Sequence, residues 1–477
     1  MAASDRLNLV WFRNDLRVAD NPALWHGAQD GPTVGVFVLC PGQWRSHHMA
    51  PCRVDFLLRN LVALRAELAA LNISLRVIHG DLFASVPDAL QALCRELGVT
   101  ALHWNHEYPL DELRRDEAVV RRLEAAGIPC HRYHDRALAP PGTVVKADGS
   151  PYQVFTPFKR AWLNLLEQGA PDLLPTPRKQ SPVALASPGA GEIPAELPGF
   201  ASAVAPDLWP AGEPEARRRL DHFCSDGLAH YQDRRDVPAE DGTSALSPYL
   251  AGGAISPQQC LRAALRIKAG DRRAADGADT WISELVWRDF YQHIVVAHPR
   301  VCTGKPFLSG TDRVPWRDDP AQFEAWCQGQ TGVPLVDAGM RQLRETGWMH
   351  NRVRMVTAMF LTKNLLIDWR LGERFFMEHL VDGDFPANNG GWQWSASTGT
   401  DAAPYFRIFN PFSQAERFDP DGAYIHRYVP ELRALPARVL HKPALLARHR
   451  PAAYPAPIVD IALSRRLAIE AFRTVNG

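Results

Sequence analysis

The chain has 477 residues, more than a single hydrophobic core usually holds, so we expect two domains or more. Hydrophobic residues make up 46% and charged residues 22% of the sequence, which is typical of a soluble globular protein. Lysine plus arginine and aspartate plus glutamate each total 53, which excludes a strong global attraction to nucleic acid but not one basic face.

The sequence also argues against a membrane protein, a secreted protein and a metalloprotein. No apolar run approaches the length of a bilayer span, and the N-terminus has no signal pattern, so we expect a cytoplasmic protein. The eight cysteines are scattered without a Cys-x-x-Cys pair, which predicts reduced thiols and no metal site.

Short apolar runs alternate with helical periods in the N-terminal third. The expected strands are 7–12, 33–39, 74–78, 101–104 and 128–133, and the expected helices between them include 53–71, 82–97 and 111–126. This alternation predicts an α/β domain with a doubly wound parallel sheet over residues 1–135. Residues 11–17 read WFRNDLR where a dinucleotide-binding protein has its glycine-rich turn, which disfavours an ordinary dehydrogenase.

The remaining two thirds divide into a connector and a helical domain. Residues 171–214 are rich in proline and alanine, which predicts a surface linker, and we place an inter-domain connector over 136–214. Beyond it, residues 215–477 predict an all-α domain. Its expected helices are 216–223, 257–269, 276–298, 320–328, 334–346, 352–364 and 372–379.

Two polar segments stand out in the first half of the helical domain. Residues 241–250 (DGTSALSPYL) form a turn before a helix, which suits either a phosphate or an ordinary helix cap. Residues 281–291 place Trp281, Glu284, Trp287, Arg288 and Tyr291 on one helical face. Such a face suits a pocket that stacks a planar ring and bonds its edge.

Two further segments follow. Asn351 and Met355 are four residues apart, so they share one face at the start of the expected helix 352–364. Around them, basic residues outnumber acids, which indicates either a basic patch or a solvated face. The basic residues are Arg341, Arg344, Arg352, Arg354, Lys363 and Arg370, and the acids are Glu345 and Asp368. Residues 382–394 (DGDFPANNGGWQW) predict a compact polar loop, and Trp392 and Trp394 are spaced to enter different surroundings.

Taken together, these segments resemble the photolyase and cryptochrome family, and in particular the bacterial class I enzymes that repair cyclobutane pyrimidine dimers. The likeness runs from residues 11–17 to residues 405–411 (YFRIFNP), with the four segments in order. The resemblance implies light-driven repair by electron transfer from a reduced FAD to a dimer flipped out of ultraviolet-damaged DNA, by a monomeric enzyme.

The resemblance also implies a site, residue by residue. The implied FAD contacts are Tyr231, Thr243, Ser244, Leu246, Ser247, Trp281, Arg288, Asp382, Asp384 and Asn388, with Asn388 opposite flavin N5. The implied dimer contacts are Glu284, Asn351, Met355, Trp287 and Trp394. An electron chain is implied through Trp392, Trp369 and Trp316, and DNA phosphate contacts at Arg235, Arg352 and Arg407.

A second, light-harvesting chromophore is also implied. Folate-binding relatives place ligands where this chain has His47, Asp111, Glu112 and Cys302, so we expect methenyltetrahydrofolate. Asp111 stands where asparagine is usual and Thr303 where lysine is expected, which leaves 8-hydroxy-deazaflavin or no antenna as alternatives.

Three other functions remain to be weighed. A signalling cryptochrome is disfavoured by Asn388, Met355 and Glu284. A (6-4) photolyase would carry histidine at the place of Asn351 or Met355. A flavin oxidoreductase lacks its nicotinamide fingerprint here.

Overall fold

The computed structural model describes residues 6–183, 189, 191–270 and 274–476. Its sheet has five parallel strands in the order β3-β2-β1-β4-β5, with Asn8 opposite Thr33 and Ala101. The strands are β1 (Asn8–Phe12), β2 (Thr33–Leu39), β3 (Leu75–His79), β4 (Ala101–Asn105) and β5 (Cys130–Tyr133). The predicted doubly wound α/β region followed by a mostly helical region is confirmed.

The α-helices are given in chain order. Those before residue 300 are α1 (Pro22–Asp30), α2 (Pro41–Ser46), α3 (Pro51–Ala70), α4 (Val86–Leu97), α5 (Leu110–Glu124), α6 (Phe155–Glu167), α7 (Glu213–His222), α8 (Tyr231–Arg234), α9 (Ser247–Gly252), α10 (Pro257–Gly270) and α11 (Ala275–Ala297). Those after it are α12 (Pro320–Cys327), α13 (Pro334–Thr346), α14 (Asn351–Met359), α15 (Trp369–Met377), α16 (Phe385–Ala396), α17 (Pro411–Phe418), α18 (Ala423–Tyr428), α19 (Ala437–Leu440), α20 (Pro443–His449) and α21 (Ile461–Asn476).

Backbone contacts group the chain into two compact units. The first unit comprises residues 1–229 and 244–299, and the second comprises residues 230–243 and 300–477. The domain boundaries that we expect at residues 135 and 214 stay a prediction, because a contact grouping does not test them.

The core of the first unit is built on β1, β2 and β4, whose residues are all buried. Helices cover both faces of such a parallel sheet, which is why these strands read as continuous apolar runs rather than alternating ones. β5 is an edge strand, and its residues are partly or fully exposed.

A network of buried charges follows the carboxyl end of β1. Arg13 bonds both oxygens of Asp116 at 2.9 and 3.1 Å and also the backbone oxygen of Asn105. Arg115 pairs with Glu107 at 2.8 Å and with Asp116 at 2.7 Å. Strand order reverses between β1 and β4, where open α/β sheets bind their ligands. Here that edge carries paired side chains of the chain itself.

Arg17 continues this network and is fully buried. Its guanidinium bonds Asp135, the backbone oxygens of Ala19 and Asp20, and that of Gly253 at 3.1 Å. Gly253 has a φ of +72°, and a Cβ there would lie 2.1 Å from the backbone oxygen of Asn14. Only glycine allows this close approach of the two backbone segments.

The core of the second unit is aromatic and aliphatic. Trp326, Trp369 and Trp392 are all buried in it, and Trp316 packs at its margin. Helices α13 and α14 supply much of the aliphatic part through residues such as Leu343 and Val353.

Two sequence predictions are wrong in detail. Residues 382–394 are not a loop, because α16 begins at Phe385 and runs through both glycines to Ala396. Pro386 in the first turn and the burial of Trp392 favour this helix over the low intrinsic propensity of Gly390 and Gly391.

The connector over 136–214 is likewise more structured than its composition predicts. It contains α6, which buries Phe158 and Trp162, and its proline-rich part buries Leu197, Phe200 and Trp209. Large apolar side chains therefore anchor it. Residues 184–188 and 190 of this predicted linker lie outside the described residues.

Across the described residues, no helix combines the length and the apolar character that crossing a membrane requires. Within the same residues, no three metal-ligating side chains come together in a group suited to a metal ion.

Asp289 on α11 supports the first unit from inside. Its fully buried carboxylate accepts hydrogen bonds from the backbone nitrogens of Leu138 and Ala139 at 3.0 and 2.8 Å and from Trp162 Nε1 at 3.0 Å. Burial raises the pKa of Asp289 to about 6, and these donors oppose that rise.

We expect Asp289→Ala to lower the free energy of unfolding by about 3 kcal/mol or more, because three buried donors lose their acceptor. Urea denaturation monitored by circular dichroism measures the change. Asp318→Ala, at an exposed position, is the control and should stay within about 0.5 kcal/mol of the parent. Equal stability of the two variants would contradict this role of Asp289.

Candidate functional site

Helix α11 carries the first set of predicted site residues, all within the first unit. Trp281 is buried and packs against Phe223 at 5.0 Å between ring centroids. Glu284 and Trp287 are half-buried on the same face. Phe155 stacks on Trp287 at 3.5 Å between centroids and 6° between planes, so one face of that indole is covered by the protein. The predicted stacking of Trp287 on the dimer would therefore use the other face of the indole.

Arg288 extends this face toward the end of the sheet. Its guanidinium donates to the backbone oxygen of Arg136, and Arg136 in turn donates to the backbone oxygen of Asn14 at 3.0 Å. The predicted flavin-binding arginine is thus held by the chain that follows β5. Asp289, next to it in sequence, fixes α11 from the buried side.

The predicted phosphate turn precedes α9, and its residues from Ser244 onward belong to the first unit. Ser244 Oγ accepts a hydrogen bond from the backbone nitrogen of Leu246 at 3.4 Å, and Ala245 has a positive φ of 48°. Leu246 is buried, whereas Ser244 is half-buried and Ser247 is exposed. The turn keeps two hydroxyl groups at or near the surface, which suits either reading of the sequence.

The start of α16 carries the second set, within the second unit. Asp382 is buried and accepts two hydrogen bonds from Arg354 Nη2, at 2.8 and 3.1 Å. Arg354 also donates through Nε to the backbone oxygen of Met349 at 2.7 Å, so α14 fixes the ion pair. Asp384 is the residue before α16 and is half-buried.

Asn388 lies one turn into α16 and is half-buried. Its side-chain nitrogen donates to the backbone oxygen of Glu373 on α15 at 3.0 Å, which determines the orientation of the amide. The carboxylate of Glu373 accepts from Asn389 Nδ2 at 2.8 Å, and Gln393 donates to Asn389 Oδ1 at 2.9 Å. A chain of neutral amides therefore runs along α16 beside a single carboxyl group.

Burial raises the pKa of Glu373 to about 7, and the hydrogen bond from Asn389 and two nearby arginines oppose this rise. The predicted site did not include Glu373 or Arg354. The sequence offers no signal for either, since both act through partners that are 15 to 28 residues away.

Trp392 and Trp394 enter different surroundings, as their spacing predicts. Trp392 is 2% exposed and meets Phe376 at 4.9 Å and Trp326 at 6.0 Å, both edge to face. Trp394 is half-buried. Trp369 is also buried, and Trp316 is half-buried against Phe472 at 5.8 Å. The predicted electron chain therefore has two buried members and one near the surface. Trp326 was given no role from the sequence.

Helix α14 carries the remaining predicted dimer contacts. Asn351 is exposed at its first position, and Met355 is half-buried one turn later. His350 caps the helix by accepting from the backbone nitrogen of Arg352 at 3.2 Å. Burial lowers the pKa of His350 to about 4, so this cap is neutral at pH 7.

The predicted DNA-binding arginines differ in their surroundings. Arg407 is exposed in the segment before α17, next to Phe406, which is 56% exposed. Arg235 lies over the ring of Tyr231 at 5.6 Å. Arg352 is bound to Asp236, with Nη2 to Oδ2 at 2.8 Å and Nε to Oδ1 at 3.3 Å. Asp236 is a neighbour that the sequence did not indicate.

Three of the four predicted antenna residues meet at the carboxyl edge of the sheet. His47 Nε2 lies 3.3 Å from Asp111, and His47 Nδ1 lies 3.6 Å from Glu112. Phe83 contacts the imidazole edge to face at 5.5 Å. Burial raises the pKa of Glu112, with His47 opposing the rise. Cys302, the fourth residue, belongs to the second unit and is half-buried.

Glu373 gives a pH-dependent prediction. Between about pH 4.5 and pH 7 the folded protein keeps a proton on Glu373 that the unfolded chain releases, so raising the pH through this window destabilises the fold. We expect the free energy of unfolding of the parent, relative to Glu373→Gln, to fall by about 2 to 3 kcal/mol from pH 5 to pH 8. Urea denaturation at both pH values, with Glu345→Gln as an exposed control, measures it. A constant difference would contradict the raised pKa.

Gly372 gives a packing prediction. A Cβ on this residue of α15 would lie 2.2 Å from Trp392 Cη2 and 2.6 Å from Leu361 Cδ2, so Gly372→Ala must displace the indole. We expect a loss of about 1 to 3 kcal/mol in the free energy of unfolding and a shifted tryptophan emission. A Cβ on Gly391 of α16 would meet no atom within 4 Å, so Gly391→Ala is the matched control. Its stability should not fall, since alanine favours a helix over glycine.

Family models match most of the chain. A model described as DNA photolyase matches residues 8–179, and a model described as FAD binding domain of DNA photolyase matches residues 281–474. The chain is 43% identical to a deoxyribodipyrimidine photo-lyase of Vibrio cholerae over 99% of its own length and 100% of the relative.

Solved structures agree with this likeness. A class III photolyase of Agrobacterium tumefaciens superposes with a TM-score of 0.86 at 35% identity, covering 99% of this chain and 98% of that one. A Synechocystis cryptochrome superposes with a TM-score of 0.85 at 28% identity, covering 98% and 99%.

Proposed function

The chain belongs to the DNA photolyase family, and we infer that it is a light-driven repair enzyme that splits cyclobutane pyrimidine dimers in ultraviolet-damaged DNA. The likeness to photo-lyases extends over the whole chain at more than 40% identity. The observation in the structure that best supports this function is the face of α11. It presents the half-buried Glu284 beside Trp287 while Asp289 anchors the helix from within.

FAD is the cofactor, and polar groups of both units suit it. In the first unit we assign flavin contacts to Trp281, Arg288, Ser244, Leu246 and Ser247. In the second unit we assign them to Tyr231, Thr243, Asp382, Asp384 and Asn388. When bound, FAD supplies the photoexcited electron that enters the dimer and returns after its two ring bonds have broken.

The second unit provides a test of whether the residues fit a flavin. Glu373 accepts from the nitrogen of the Asn388 amide, so the amide oxygen is the acceptor that suits the N5–H of a reduced flavin. The pair of Asp382 with Arg354 has no net charge, so it holds polar atoms there without adding a full negative charge. These residues therefore fit a flavin in its reduced form.

The substrate contacts follow from the exposure of each side chain. We propose that Glu284 bonds the polar edge of the dimer and, by donating a proton or a hydrogen bond, stabilises the negative charge that the transferred electron brings to it. Asn351 bonds the same lesion, Met355 packs on it, and Trp287 and Trp394 stack around it. All five side chains are exposed or half-buried, as contact with a substrate requires.

The tryptophans have a separate proposed role. A chain of Trp392, Trp369 and Trp316 would reduce the enzyme when electrons from an external reductant enter at the half-buried Trp316 and move inward through Trp369 to Trp392. The burial of Trp369 and Trp392 keeps them from water. We keep Trp326 outside this path, although its indole contacts that of Trp392.

We propose that Arg235, Arg352 and Arg407 bind phosphates on the damaged strand. We also propose that the enzyme acts as a monomer. Because the substrate is the cell's DNA, we also propose that it works in the cytoplasm of a bacterium.

We propose an antenna chromophore at the edge formed by His47, Asp111 and Glu112, with Cys302 as a further contact. Methenyltetrahydrofolate is the first candidate and 8-hydroxy-deazaflavin the second. Mass spectrometry of the chromophore released from the purified protein distinguishes them. Release of FAD alone would contradict an antenna.

Repair itself is tested with an oligothymidine that carries cyclobutane dimers. With reduced flavin and blue light, we expect thymine absorbance to recover, and we expect no recovery in the dark. Glu284→Gln should slow repair on the order of tenfold or more, because an amide cannot deliver a proton to the charge that develops on the dimer as a carboxyl group can. Glu167→Gln, an exposed position on α6, is the matched control and should repair at the parental rate.

One result would contradict the repair function, and another would contradict only the role of Glu284. No recovery by the parent with reduced flavin bound would favour a light sensor of the cryptochrome kind. Full activity of Glu284→Gln would leave repair standing but remove Glu284 from the lesion.

A further inference from the structure

Asp236 lies between two arginines that we assign to DNA phosphates. Its carboxylate bonds the Nε and Nη2 edge of Arg352 at 3.3 and 2.8 Å, and its Oδ1 lies 4.0 Å from Arg235 Nε. About a third of the Asp236 side chain is exposed, and 18% of Arg352. A carboxylate here occupies the kind of position that a phosphate takes beside guanidinium groups.

Arg352 is held from its other sides as well. Its guanidinium lies 4.5 Å from the ring centre of Phe418, which is buried at the end of α17. Nη1 lies 4.0 Å from the sulfur of Met355, the residue that we expect to pack on the dimer. The guanidinium is therefore fixed by a stacked ring on one face, a carboxylate on one edge and Met355 beyond the other edge.

We propose that Asp236 is a positioning residue that turns the Nη1 and Nη2 end of Arg352 toward the DNA beside the lesion. This inference rests on the proposed function. Asp236 uses Nε and one hydrogen of Nη2, and the sulfur of Met355 accepts from Nη1, so the second hydrogens of Nη1 and Nη2 are the donors that we assign to a phosphate. Those donors are next to Met355, which ties the phosphate contact to the place of the flipped dimer.

Two physical effects follow from this position. A guanidinium that is already ordered loses less side-chain entropy when it binds, which favours the one DNA geometry that matches it. The negative charge of Asp236 also weakens the attraction of Arg235 and Arg352 for any phosphate that approaches differently. Asp236 therefore lowers affinity for undamaged DNA more than it lowers affinity for a strand with a flipped dimer.

His350, which lies beside Asp236 and Arg352, adds no charge to this cluster near pH 7. His350 faces Asp236, Arg352 and Arg354, and its depressed pKa keeps it neutral near pH 7. The local charge is set by one carboxylate and the arginines that surround it.

Binding in the dark tests the inference with one duplex that carries a single cyclobutane dimer and one undamaged duplex of the same sequence. We expect Asp236→Asn to bind undamaged DNA as tightly as the parent or more tightly. The ratio of the two affinities should fall about three- to tenfold, the range expected for one ordered side chain.

The effect should act through Arg352. In an Arg352→Ala background, adding Asp236→Asn should change the affinity ratio less than twofold, because the residue to be positioned is absent. Glu431→Gln is the matched control. Glu431 forms a similar ion pair with Arg341, at 2.8 and 2.9 Å, and its loss should leave the ratio unchanged.

The outcomes separate this inference from the proposed function. If the parent itself shows no preference for the damaged duplex, the proposed function fails. If the parent discriminates but Asp236→Asn keeps the parental ratio, or the two changes are additive, the positioning role is wrong. Should Asp236→Asn unfold, Asp236→Ser, which removes the charge and leaves a small polar side chain, replaces it. An unchanged ratio in that variant overturns the proposal.

Discussion

The buried ion pair between Arg17 and Asp135 is the constraint on which the first unit depends. Arg17 has no exposed surface, and its guanidinium joins the segment after β1, the end of β5 and the backbone of Gly253 before α10. Two buried charges stabilise a fold only when further hydrogen bonds offset the loss of their hydration. The backbone oxygens of Ala19, Asp20 and Gly253 supply such bonds to Arg17, and the bond to Gly253 joins the segment after β1 to the chain before α10.

A similar constraint acts at both ends of α16 in the second unit. At its start, the Arg354 pair holds Asp382, and Glu373 accepts from Asn388. At its end, the buried side-chain nitrogen of Lys363 donates to the backbone oxygen of Ala396 at 3.1 Å and to Ser397 Oγ at 2.9 Å. A lysine donor there satisfies a carbonyl that has no partner within the helix. The amides of α16 are thus fixed along a helix whose two ends are both anchored by other helices.

Much of the fold could be predicted from periodicity, but the anchors could not. The strand run 33–39 and the helix run 334–346 match the structure because local burial patterns determine them. The sequence predicts a loop where α16 lies because two glycines and several polar residues outweigh Trp392 in any local pattern. Glu373 and Asp236 were missed since their roles come from partners elsewhere in the chain, such as Arg352, which is 116 residues from Asp236.

The same limitation applies to charge. The sequence between residues 341 and 370 suggested a basic patch, yet Arg341 pairs with Glu431, Arg354 with Asp382 and Arg370 with Asp312. Acids from distant segments therefore compensate most of these cations, and Lys363 is buried. The enzyme has zero net charge and must still find one lesion. A broad positive electrostatic field would not help it to do so, because such a field attracts all DNA phosphates equally. An arginine that a carboxylate holds in one orientation, as Asp236 holds Arg352, favours one geometry of the strand, and selectivity follows from that difference.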